Sequence, residues 1–533
     1  MRLPVLFLVL AACGTSGGGD DTSGDDGPPV PKCDVTHFEA TARDFALPVV
    51  GAEATRVPFS QMADNESIIG MLDANRYSVI AYATMDIDGD NRPDLVMSER
   101  NNMATVGTSR WLVYLGTATG FAPTPIDWVL PGVGADSMRT PFAQIADNES
   151  IIGMLDANRY SVIAYALVDM DGDRKPDLVM TERNAMPGVG TTKWLVFPNT
   201  GTGFTAPIEF ALPAVGADAT RTPFAQLADN ESIIGMLDAN RYSVIAYALL
   251  DFDGDRKPDL VMTERNAMPG VGSSRWLLFK NMGTGFAPAP VDIALPGVGA
   301  ESTRTPFAQL ADNESIIGML DANRYSVIAY ATTDMDGDSK PDLVMTERNA
   351  MPGVGVSKWQ VFPNTGMGFG VPIDFVLPGV GAESTRTPFA QLADNESIIG
   401  MLDANRYSVI AYVTTDLDGD RKPDLVMTER NAMPGVGTAK WQVFPNTGTG
   451  FGVPIDFALP SVGADATRTP FAQIADNESI IGMLDANRYS TIAYATTDLD
   501  ADGKPDLVLT DRNSQAGVGT GRWQIFAGAC DEP

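Results

Sequence analysis

The stretch Asp86-Ile-Asp-Gly-Asp-Asn-Arg-Pro-Asp94 places a carboxylate at positions 1, 3, 5 and 9 of nine residues. It returns at 169–177, 251–259, 334–342, 416–424 and 498–506, with successive starts 82 or 83 residues apart. Four carboxylates this close repel one another unless a cation lies between them. A hard cation with oxygen ligands, Ca²⁺ above all, suits the set, at about one ion per repeat. The candidate ligands are Asp86, Asp88, Asp90 and Asp94; Asp169, Asp171, Asp173 and Asp177; Asp251, Asp253, Asp255 and Asp259; Asp334, Asp336, Asp338 and Asp342; Asp416, Asp418, Asp420 and Asp424; and Asp498, Asp500, Asp502 and Asp506. Alternate positions reach one ion only if the backbone curls, and Gly89 eases that curl. The apolar runs on either side, Ser78-Val-Ile-Ala-Tyr-Ala and Leu95-Val-Met, read as the two strands of a β-hairpin.

Working outward, each repeat reads as four strands. The second repeat gives a strand at Tyr160-Ser-Val-Ile-Ala-Tyr-Ala, the acidic loop, and a strand at Leu178-Val-Met-Thr. The Gly/Pro loop Asn184-Ala-Met-Pro-Gly-Val-Gly, a strand at Trp194-Leu-Val-Phe, an Asn/Gly turn and a strand at about 204–212 follow. Repeats that cannot bury their faces alone must stack, and a ring of blades needs no caps. The ends of the chain select the ring. Asp44-Phe-Ala-Leu-Pro48 matches a fourth strand, whereas the last repeat stops at Trp523-Gln-Ile-Phe526, a third strand. The N-terminal segment therefore supplies the strand that the sixth repeat lacks, and the sheet edges disappear. The expectation is all-β: a six-bladed β-propeller of four-stranded antiparallel blades over residues 33–533, closed by its N-terminal strand.

Between the fourth strand of one repeat and the first of the next lies an insert. Its core, Ala63–Ser78, is identical at 146, 228, 311, 393 and 475. Asp64 or Asn65 is positioned to cap a short helix through Leu72, with Ile68, Ile69, Met71 and Leu72 turned inward, although Gly70 weakens it. Inserts and Gly/Pro loops would share the face opposite the acidic loops. That face is either a multivalent binding rim or a repeated contact between blades.

The formal net charge is −31, and six bound Ca²⁺, adding twelve positive charges, would leave −19. That balance argues against a nucleic-acid partner, which requires clustered Lys and Arg. The sole histidine, His37, lies outside the repeats, which excludes a His-based zinc site or a Ser-His-Asp triad built on them. The Gly/Pro loops lack the Lys of a phosphate cradle. The strand-three tryptophans, Trp111, Trp194, Trp276, Trp359, Trp441 and Trp523, read as packing between blades before sugar platforms. Glu182-Arg183-Asn184 and its copies read as salt-bridged loop scaffolding.

Residues 1–12 are short and apolar with one basic residue, Arg2, as in a secretory signal. Leu10-Ala-Ala-Cys13 resembles the bacterial lipobox, which implies lipidation at Cys13 and, with Gly14 following, the outer membrane. Residues 13–32 read as a disordered tether spanning about 20–25 Å. Cys33 and Cys530 fall beside the closing seam, where a disulfide in an oxidising compartment would staple it.

The run from Ser-Val-Ile-Ala-Tyr-Ala through the acidic loop to Phe-Pro-Asn-Thr-Gly-Thr-Gly-Phe204 resembles the FG-GAP/VCBS repeat of integrin α-subunit propellers and bacterial surface proteins. The resemblance implies one Ca²⁺ per loop, held by the four Asp side chains and the carbonyl at position 7, Arg92 in the first copy. Family loops carry Gly at position 6; here Asn91, Arg174, Arg256, Ser339 and Arg421 stand there, and only Gly503 conforms. A left-handed non-Gly residue costs roughly 1 kcal/mol, so affinity is expected at about 10⁻⁴–10⁻³ M. The functional expectation is a surface-anchored, monomeric, non-enzymatic module for adhesion to a protein or glycan. A lectin with one site per blade, a carbohydrate-active lyase or hydrolase, and a structural spacer are the alternatives.

Overall fold

The computed structural model describes residues 34–530 apart from short stretches at equivalent places in each repeat. These are the segments after the fourth strand (51–56, 134–139, 216–221, 299–304, 381–386 and 462–468), two or three residues before the insert strand, two between it and the first strand, and two after the second strand. Residues 1–33 and 531–533 are also undescribed, so the signal, Cys13, the tether and Cys33 lie outside the described residues. The chain is a six-bladed β-propeller, and no helix occurs among the described residues.

The second blade shows how the sequence builds each unit. Its first strand, Arg159–Val168, pairs antiparallel with Asp177–Arg183 across the acidic loop. That second strand pairs with Lys193–Phe197, and the latter with Ile208–Ala211. Leu178, Val179 and Met180 are fully buried because a neighbouring blade covers each face of the strand. In the fourth strand Phe210 is buried between exposed Glu209 and Ala211, as an outer strand with one solvated face requires.

The hydrophobic cores lie between blades. One cluster joins Trp194, Val196 and Phe210 of the second blade to Ile245, Leu260 and Leu277 of the third. Each strand-three tryptophan is buried at such a junction. Trp194 Nε1 donates to the Phe224 carbonyl at 2.8 Å, and the other five make the same bond to Phe142, Phe307, Phe389, Phe471 and Phe59. Six aromatic nitrogens with buried carbonyl partners are packing groups, not ligand platforms.

Closure follows the expected route. Arg43–Ala46 takes the fourth position of the sixth blade, antiparallel to Arg522–Phe526, with Phe45 opposite Trp523. The core at this junction gathers Phe45, Trp523 and Ile525 with Ile80, Leu95 and Phe121 of the first blade. His37–Phe38 adds a second short pairing with Gly528–Ala529. Cys530 follows directly and is disulfide-bonded; its expected partner, Cys33, lies outside the described residues.

The insert departs from expectation. Asn65–Asp73 is a β-strand, not a helix, and pairs antiparallel with the first strand, Arg76–Met85. Every repeat does the same, so each four-stranded blade carries a fifth strand on its first-strand side. A short apolar run has no decisive period of its own. The first strand is ten residues long, and its opening residues have no partner on the second strand. Pairing with them outweighs the weak helical signal, and the two β-branched residues Ile68 and Ile69 suit a strand. Asp64, the alternative cap, lies outside the described residues.

Candidate metal centre and the two faces

The acidic loop begins where the first strand ends, and its geometry recurs six times. Position 1 acts as an internal cap. Asp86 Oδ1 accepts from Gly89 N at 2.7 Å, and Oδ2 accepts from Asn91 N at 2.8 Å. Position 9 anchors the loop to the blade. Asp177 is buried; its Oδ2 accepts from Met170 N at 3.1 Å and its Oδ1 from Asn199 N at 2.8 Å. Position 6 is left-handed in every copy, with φ between 67° and 74° at Asn91, Arg174, Arg256, Ser339 and Arg421, and 84° at Gly503. The sixth loop also carries Ala501 at position 4, where the others have Gly, and Ala501 sits at φ 59°. Sequence reading noted the first strain and passed over the second.

In each of five loops three of the four aspartates gather, with a carboxylate oxygen from each inside a 4.8 Å group. They are Asp86, Asp88 and Asp90; Asp169, Asp171 and Asp177; Asp251, Asp253 and Asp255; Asp334, Asp336 and Asp342; and Asp416, Asp418 and Asp424. In three of the five loops the reason one aspartate stands aside is visible. In the second, fourth and fifth loops the position-7 lysine draws position 5 away: Lys175–Asp173 at 2.8 Å, Lys340–Asp338 at 2.7 Å and Lys422–Asp420 at 2.7 Å. In the first loop Arg92 only reaches 3.7 Å, and Asp90 stays in the group. Lysine at position 7 was readable in the sequence, and its pull on position 5 was missed.

The donor set fits a hard divalent cation: all oxygen, anionic and clustered. Burial raises the carboxyl at position 9 far above its ordinary value, to about 7 at Asp94, Asp177, Asp259 and Asp342 and about 8 at Asp424 and Asp506. Asp259 Oδ2, almost completely buried, has no hydrogen-bond partner, nor has Asp500 Oδ1. A buried carboxylate oxygen without donor or cation is costly, and a bound ion would remove the cost. The aspartates would hold Ca²⁺, which would supply charge neutralisation.

Neighbouring loops are laced together. Asn199 Nδ2 donates to the Ile87 carbonyl in the preceding loop at 2.8 Å and to Pro176 of its own at 3.0 Å. Asn281, Asn364 and Asn446 repeat the link to Met170, Phe252 and Met335. The asparagine of the Asn-x-Gly-x-Gly-Phe turn is therefore a tie between blades, a role its spacing alone did not reveal. The first and sixth blades carry Gly116 and Gly528 there, and both flank the seam. Beside Gly528 the N-terminal segment contributes its own tie, Val35 N to the Asp418 carbonyl at 3.0 Å.

The opposite face carries the hairpins. Arg183 at the end of the second strand pairs with Ile163, whereas the insert strand continues pairing back to Arg159. Each hairpin therefore runs past the blade on the side away from the acidic loops. The adjoining Gly/Pro loop is a tight scaffold: Gly190 is left-handed, and a Cβ there would lie 2.5 Å from the Thr181 carbonyl. Glu182, buried beside it, accepts from Thr222 Oγ1 at 2.8 Å, and Arg265 Nη2 reaches the Val215 carbonyl at 3.3 Å. These charged side chains brace loops.

No protein-family model and no curated protein matches the chain. Among solved structures it is similar to a chain of the Photorhabdus luminescens Tc holotoxin pore, at 16% identity over 92% of this chain with a TM-score of 0.41. It spans 15% of that chain's length. A likeness at this level carries no argument about function.

Proposed function

We propose that the chain is a calcium-binding propeller of the FG-GAP/VCBS kind, lipid-anchored through Cys13 at the outer membrane, that binds a protein or glycan through its hairpin face without catalysing a reaction. The observation carrying this reading is the division of labour between the faces. Six acidic loops are directed to one end, and six hairpins with an identical sixteen-residue sequence to the other. Six near-equal copies suit repeated weak contacts with a polymeric or clustered ligand, where avidity multiplies modest affinities. Ca²⁺ serves stability in this reading, and a Cys33–Cys530 disulfide staples the seam.

The test is retention of envelope and matrix material by the full chain, with and without Ca²⁺, beside a chain whose six Asp-Ala-Asn-Arg turns are replaced by Gly-Asn-Gly-Ser. The reading expects defined glycan or protein ligands to be retained only by the native turns. Equal retention by both chains, or turnover of a polysaccharide, would overturn it.

A further inference from the structure

The six acidic loops differ in the positive charge they already hold. Among the described residues, each of the first five has one cationic side chain paired with an outer carboxylate. These are Arg92 with Asp90, Lys175 with Asp173, Lys280 with Asp253, Lys340 with Asp338 and Lys422 with Asp420. The sixth has two. Lys504 reaches Asp502 at 3.3 Å from within the loop, and Arg43 reaches Asp500 at 2.7 Å from the strand that closes the ring. Asp500 is about nine-tenths buried and gives one oxygen to the guanidinium, leaving the other without a partner. Among the described residues the other cation lent from outside its loop is Lys280, 27 residues from Asp253, whereas Arg43 lies 457 residues from Asp500. The sixth loop also alone has Ala501 in the left-handed region in place of glycine.

We propose that Arg43 is a built-in substitute for metal: the sixth loop is the low-affinity member of the set, and the seam blade is held by an internal guanidinium where the other five depend on Ca²⁺. A divalent ion entering this loop must approach a carboxylate already paired with Arg43. The repulsion between a guanidinium and a divalent ion a few ångströms apart, even in a water-like dielectric, weakens binding by about tenfold. The physical advantage is that the single junction not made by continuous chain keeps its charge balance when calcium is scarce. The proposal rests on the calcium reading above and adds that the sites are unequal.

The experiment is calcium titration of the full chain at low ionic strength, read by native mass spectrometry and calorimetry. The native chain is expected to take five ions in one class and a sixth about tenfold more weakly, with the gap narrowing in high salt because Arg43 is half exposed. Arg43→Gln should bring the sixth ion into the main class, and Arg43→Lys should keep it apart. If Arg43→Gln fails to fold, Lys504→Gln, which removes the loop's other cation without touching the closing strand, should narrow the gap by a similar factor. Six equal sites in the native chain, or a gap unmoved by folded variants, would overturn the proposal. No uptake at all would overturn the calcium reading itself, a result distinct from six equal sites.

Discussion

The two faces of the propeller differ in how sequence relates to structure. On the acidic face the loops vary at positions 2, 4, 6 and 7, yet the left-handed turn and the position-1 cap recur: the position-6 N–H donates to Asp86, Asp169, Asp251, Asp334, Asp416 and Asp498 alike. On the hairpin face the insert core does not vary at all, yet its conformation is set by pairing with a strand that begins at its end and runs beyond it. Conformation is local on one face: a few aspartates and a glycine dictate it. On the other it depends on a partner.

The largest effect should come from the seam that makes either face possible. Deleting residues 34–46 removes Phe45 from a core shared by the first and sixth blades and exposes the edge at Arg522–Phe526. The expected outcome is a chain that aggregates, measured by size-exclusion chromatography. A soluble monomer of unchanged melting temperature would break the closed-ring account. Next in size, Trp194→Ala should cost about 3–5 kcal/mol and orphan the Phe224 carbonyl, read by denaturant unfolding.

Acidity sharpens the contrast without any mutation. The position-9 aspartates titrate at about 7 or 8 in the metal-free native chain and near 4 when unfolded. Between those values the native state holds more protons than the unfolded state, so stability falls as pH rises. The metal-free protein should melt at a higher temperature at pH 5 than at pH 8, and saturating Ca²⁺ should flatten or reverse that slope. A metal-free melting temperature that rises from pH 5 to 8 would contradict the burial of these carboxylates.

Smaller again, Asn199→Ala should cost about 1–2 kcal/mol by removing a tie between the first two acidic loops and leaving a buried carbonyl short of a donor. Gly116 of the first blade carries no such tie, and a Cβ there would lie 2.5 Å from the Pro93 carbonyl. The smallest effect is expected from Arg174→Gly. Relief of a left-handed residue, about 1 kcal/mol, is largely offset by glycine's greater freedom in the unfolded chain, so the melting temperature should rise only slightly. A fall would show that the Arg174 side chain contributes contacts of its own.

The same comparison explains what the sequence disclosed. Strand order, blade number and the closing strand were legible because Asp44-Phe-Ala-Leu-Pro48 and Trp523-Gln-Ile-Phe526 are complementary fragments of one repeat. The tryptophans were legible as packing groups from their type and period. The insert was misread because Ile68-Ile-Gly-Met-Leu72 fits a helix turn as well as a strand, and the deciding partner, the surplus length of Arg76–Met85, is visible only when the blade is assembled. The Asn199 tie and the Arg43–Asp500 pair were hidden for a related reason: each joins groups more than a hundred residues apart.

The division between faces is tested most directly by the melting temperature of the full chain with Ca²⁺ and with excess chelator at pH 7.5. Six loops, each with a buried carboxylate at position 9, should gain stability from an ion that binds only the native state. The account predicts a rise of many degrees with Ca²⁺, undiminished when the six Asp-Ala-Asn-Arg turns are replaced. An unchanged melting temperature would contradict it.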